Sequence, residues 1–113
     1  MLLQNEKIIN YDFLTDMYID DYFPNHLVDK IKQILLNLSE KIEQQKPEDL
    51  EQLYMLTQES TEQINDLQSE FDDAHSEIET VARDTISVDF EFIAHAYGFE
   101  DADTEALVAT RDW

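Results

Sequence analysis

Asp89 is the residue whose surroundings most demand a chemical explanation. Residues 76–97 carry apolar side chains at helical spacing, and on that wheel Asp89 falls inside the apolar arc, between Ile86, Phe92 and Ile93. A carboxylate so placed needs a partner or a proton, because an unpaired buried charge is too costly. Arg83, Arg111, Lys30, His26 or a tyrosine of the N-terminal segment would supply one. Two readings are open: a site acid in a tyrosine-lined pocket, or a structural anchor holding a loop or the C-terminus against the helices.

A second pattern is a line of acids. Glu48, Glu59, Glu62 and Asp66, continued by Glu70 and Asp73, share one side of a helix read over 47–73, opposite its apolar face. No lysine or arginine interrupts this line, so the i,i+4 ion pairs usual on an exposed helix are missing. Met55 lies within it and would give a partner an apolar anchor. Glu77, Asp84 and Glu91 repeat the pattern on the next helix, with His95 beyond. The plain alternative is a face that is simply solvated.

Metal and nucleophile chemistry find less support. Asp101, Asp103, Glu105 and Asp112 match positions 1, 3, 5 and 12 of a calcium loop, but Ala106 stands where the sharp turn needs glycine. The same stretch also reads as helix. His26, His75 and His95 complete no inward-facing Glu-x-x-His pair, and Glu91 with His95 reads as a solvated pair. Ser76 follows His75, yet it serves better as a helix cap than as a nucleophile. The absence of cysteine removes disulfides, thiolate zinc sites and cysteine nucleophiles. Gly98 is the single glycine, which excludes glycine-rich phosphate loops. The sequence thus assigns no catalytic residue, no metal and no cofactor.

The charge balance bounds the partners. The 113 residues include 27 acids and 7 basic residues, a net charge of −20. Residues 1–46 hold eight acids against five lysines, whereas residues 47–113 hold 19 acids against Arg83 and Arg111 alone. That field repels nucleic-acid phosphates and anionic lipid and favours a cationic protein. No apolar run approaches a membrane span, and the start MLLQNEKIIN has no basic leader, so a soluble cytoplasmic chain is expected.

These side chains must be positioned by helices. The pattern predicts one all-α domain over 1–113, a small antiparallel bundle of three long helices with short N- and C-terminal helices. Residues 24–45 place Leu27, Val28, Ile31, Ile34, Leu35, Leu38 and Ile42 on one face behind Pro24. Lys46-Pro47 breaks the pattern, and 47–73 resumes it with Leu50, Leu53, Tyr54, Ile64, Leu67 and Phe71. Ser76 and Glu79 read as a capping box opening a third helix over 76–97, closed by Gly98. Its apolar arc, widened by Val88, suggests contacts on two sides. Segment 1–23 is rich in aromatics, with a short helix expected around 10–18, and 103–110 forms a last short helix capped by Asp103.

The strings Asp20-Asp21-Tyr22-Phe23-Pro24, Asp89-Phe90-Glu91-Phe92-Ile93-Ala94, Tyr97-Gly98-Phe99 and Ala109-Thr110-Arg111-Asp112-Trp113 resemble, over most of the chain, the small bacterial domain-of-unknown-function family 5713. The resemblance implies a bacterial, cytoplasmic, stand-alone domain and transfers no catalytic residue. It draws attention to Asp89, Arg111 and Trp113, and a buried Asp89–Arg111 contact would unite it with the wheel. The function expected is a non-catalytic acidic interaction protein, such as an inhibitor or immunity protein engaging a basic partner. Alternatives are a small-ligand or metal-binding domain built on Asp89 and the tyrosines, and a homo-oligomeric structural protein.

Overall fold

The computed structural model describes residues 3–113, and in chain order its helices are α1 (Glu6–Ile9), α2 (Thr15–Tyr18), α3 (Asn25–Gln45), α4 (Leu50–Asn65), α5 (Gln68–Asp73), α6 (Thr80–Ala96) and α7 (Thr104–Leu107). No strand occurs among the described residues, so the fold is all-α. No helix among them is long and apolar enough to cross a membrane.

The expected apolar stripe of α3 forms its buried face: Leu27, Val28, Ile31, Leu35, Leu38 and Ile42 are in the core, while Ile34 at its edge is only partly buried against it. Ser39 joins them by returning its hydroxyl to the Leu35 carbonyl at 3.1 Å. Lys46 ends α3 in a left-handed conformation (φ 49°), and Pro47 prevents continuation. Asp49 then caps α4 by accepting from the Gln52 N–H at 2.9 Å. The joint makes α3 and α4 antiparallel: Lys41 meets Glu59, while Lys30, earlier in α3, meets Glu70, later in the chain.

Two expected boundaries move, each where a side chain bonds to a distant carbonyl. The helix expected over 47–73 is broken between α4 and α5, where the Leu67 N–H tightens onto the Ile64 carbonyl at 3.0 Å. The turn leaves Leu67 and Phe71 buried while freeing the Asn65 amide for the C-terminal tail. The third helix begins at Thr80, not Ser76. Ser76 is buried and donates its hydroxyl to the Tyr22 carbonyl at 2.9 Å, so it ties two loops together instead of capping. His75 (φ 60°) closes α5, with the Ser76 N–H reaching back to the Phe71 carbonyl at 2.8 Å.

The N-terminal segment forms two single-turn helices where one was expected around 10–18. Asn5 caps α1 through the N–H groups of Lys7 and Ile8. Between α1 and α2 the chain turns through Leu14, which is left-handed (φ 59°) and fully buried. α6 packs against α1 and α2 and also against α7. That is the two-sided contact its wide arc predicts, although Val88 itself is 58% exposed. Gly98 (φ 91°) closes α6, its N–H bonded to the His95 carbonyl and that of Phe99 to Ala94. The short C-terminal helix is confined to Thr104–Leu107, capped by Asp103 through the Glu105 N–H at 3.1 Å.

Candidate functional site

Asp89 is 3% exposed and has both oxygens occupied by its own chain. The Tyr11 hydroxyl donates to Oδ1 at 2.6 Å and the Leu14 N–H donates to Oδ2 at 2.7 Å. The left-handed turn at Leu14 is what aims that N–H inward. Such a conformation is unfavourable for a branched side chain and persists where its surroundings fix it. Tyr11 is held in turn by a stack on Phe92, ring centroids 3.8 Å apart, and by the edge of Phe13. Burial pushes the Asp89 carboxyl above its usual range; the two hydrogen bonds pull the other way, and the nearby Asp16 charge adds to the rise. Burial and the Asp89 carboxylate together push the Tyr11 hydroxyl up.

A second carboxylate has the same kinds of donor and was not distinguishable in the sequence. Glu43, in the last turn of α3, accepts from the Tyr97 hydroxyl at 2.5 Å, from the Gln4 N–H at 2.8 Å and from the Asn5 N–H at 3.2 Å. Asn5 completes the cluster by donating its side-chain amide to the Ala96 carbonyl at 2.8 Å. Glu43 is only half-buried. Its burial pushes the carboxyl up, but the bonds from Tyr97, Gln4 and Asn5 outweigh it and hold Glu43 below the usual carboxylate range. A cleft of about 560 Å³ opens beside it, lined by Ile42, Lys46, Pro47 and Phe99 as well.

The acidic line is exposed but not wholly uncompensated, which corrects the reading of a stripe free of cations. Glu59 pairs with Lys41, and Glu70 pairs with Lys30 at 2.5 Å, both lysines reaching across from α3. Glu48, Glu62, Asp66 and Asp73 are exposed and take part in none of the ion pairs among the described residues. Asp73 lies past the α4–α5 break, so the line is shorter than the wheel implies. Met55 is 70% exposed. On the neighbouring segment Glu77 precedes α6, and Glu91 accepts from the Thr104 hydroxyl at 2.5 Å, joining α7 to α6.

Among the described residues no group of three or more histidine, aspartate or glutamate side chains is arranged to hold a metal ion. In the stretch with calcium-loop spacing, Asp103 caps α7 and Glu105 lies within it, bonded to Arg111. That leaves a helical turn in place of an ion-wrapping loop.

A family model described as a family of unknown function, DUF5713, matches residues 7–113. The chain belongs to this family. No curated protein and no solved structure matches it. The DUF5713 match takes in Tyr11, Leu14 and Asp89 but begins after Gln4 and Asn5, whose amides hold Glu43.

The Ala-Thr-Arg-Asp-Trp string of this DUF5713 chain docks on α4, not on Asp89. The Asn65 amide donates to the Thr110 carbonyl and accepts from the Asp112 N–H, both at 2.9 Å. Gln58 donates to the Ala106 carbonyl at 3.0 Å, and the Thr110 hydroxyl donates to the Gln58 carbonyl at 3.2 Å. This seam leaves Arg111 beside Glu105, at 3.2 Å, so the expected Asp89–Arg111 pair does not form. Sequence reasoning missed Tyr11 as the specific partner, along with Glu43, Gln58 and Asn65. The closest signal was that one tyrosine of the N-terminal segment would be needed inside the core.

Proposed function

We propose that this DUF5713 chain is a cytoplasmic, non-catalytic binding module whose acidic exterior engages a cationic protein, in the manner of an inhibitor or immunity protein. One observation carries the reading: residues 47–113 hold 19 acids against two arginines, and Arg111 already faces Glu105. Glu62 and Asp66 stand exposed on α4 and the turn after it, and Met55 offers an exposed apolar side chain on the same helix. Charge of this density speeds encounter with a basic surface, and a few apolar or aromatic anchors supply the affinity. The small-ligand alternative built on Asp89 is weakened because Tyr11 and Leu14 already occupy that carboxylate. Self-association has to overcome like-charge repulsion at −20.

The test is affinity capture on the immobilised chain beside a Glu62→Lys/Asp66→Lys variant, at low and at high salt. A basic protein held by the wild type, released by salt and lost by the variant supports the reading. Equal retention by wild type and variant rejects it.

A further inference from the structure

The cleft beside Glu43 has an electrostatic design that the acidic exterior does not explain. Two long helices end at it: Lys46 is the C-cap of α3 and Tyr97 the C-cap of α6, and both line the cleft. Each helix brings the negative end of its dipole, equivalent to roughly half a unit charge. α3 has no basic residue in its last turn, and Glu43 adds a full negative charge there. Ile42, Pro47 and Phe99 give the cleft apolar lining. A volume of about 560 Å³ lies within the range of small-molecule sites, which pair apolar walls with a few placed polar groups.

The carboxylate is poised for one more donor. Oε2 of Glu43 accepts from Tyr97 and Asn5, whereas among the described residues Oε1 accepts from the Gln4 N–H alone. A carboxylate oxygen has two acceptor positions, so Oε1 retains one. The three donors also keep the group ionised, in line with its depressed proton affinity.

We propose that this cleft binds a small molecule carrying a primary ammonium on an apolar body, the ammonium donating to Oε1 of Glu43 and the body lying against Ile42, Pro47 and Phe99. The net charge of −20 raises the local concentration of such cations. Lys46, at the cleft and in no ion pair among the described residues, opposes the ligand's charge and tunes the affinity downward.

The experiment is an NMR titration of the full chain with phenethylamine, its neutral counterpart 2-phenylethanol and its trimethylammonium analogue. Phenethylamine should shift the amides of Asn5, Ile42 and Phe99 and bind about tenfold more tightly than the alcohol, the ratio expected of one charge-assisted hydrogen bond. The trimethylammonium analogue, which has no N–H to donate, should bind more weakly than the amine. Glu43→Gln should remove the preference for the amine over the alcohol. Lys46→Met, a change at an exposed side chain, should tighten amine binding a few-fold. Equal binding of amine and alcohol, shifts confined to other parts of the chain, or unchanged amine binding in Lys46→Met would overturn the proposal.

Discussion

Asp89 and Glu43 are each held by a tyrosine hydroxyl and by backbone N–H groups from the N-terminal segment, yet their proton affinities move in opposite directions. The difference is water. Asp89 is 3% exposed, and desolvation outweighs its two donors. Glu43 is half-buried at an open cleft, and three donors outweigh desolvation. The same chemistry therefore makes a structural clasp in one place and a persistent surface anion in the other. Asp89, with its folded value raised, adds stability that is full below the ordinary carboxylate range and is lost as pH rises through the raised value. Glu43, with its folded value lowered, adds stability that is present above the ordinary range and is lost as pH falls through the lowered value.

The largest expected effect is at Asp89. Asp89→Asn keeps the shape but turns an amide NH₂ or a weaker acceptor toward Leu14, and should cost about 3 kcal/mol in chemical denaturation. A loss near zero would break the contrast with Glu43. Tyr11→Phe keeps the stack on Phe92 and removes only the hydroxyl, and should cost about 1.5 kcal/mol by the same measurement. Glu43→Gln should cost about 1 kcal/mol or less, because water can replace part of what is lost at a half-buried site. A cost equal to that of Asp89→Asn would mean that exposure does not separate the two. Smallest of all, Glu62→Lys/Asp66→Lys should change stability by no more than about 0.5 kcal/mol, since neither acid has an ion-pair partner among the described residues. A large loss would assign these residues to the fold and not to an exposed face.

The contrast also sets what could be read from the sequence. Period-3.6 burial is strong in α3 and α6, so the all-α architecture and the buried position of Asp89 were legible. Glu43 lies in the polar stretch Lys41-Ile42-Glu43-Gln44-Gln45, where one acid resembles any other, and its donors are about 40 and 54 residues away in the chain. The left-handed Leu14 carries no sequence signal, because the residue is atypical of that conformation and is fixed by the Asp89 bond. The α4–α5 break and the displaced start of α6 share a cause. Asn65 and Ser76 bond to distant carbonyls, and such tertiary bonds override the local capping pattern. Lys30 and Lys41 were visible, but only the antiparallel register of α3 against α4 brings them to Glu70 and Glu59.

The most direct measurement is a carboxyl-carbon NMR titration that follows Asp89 and Glu43 in one sample of the folded chain. Asp89 should titrate above the ordinary aspartate range and Glu43 below the ordinary glutamate range. An Asp89 midpoint at or below the ordinary value, or a Glu43 midpoint above it, would contradict the assignment of one carboxylate to the core and the other to an open, ligand-ready cleft.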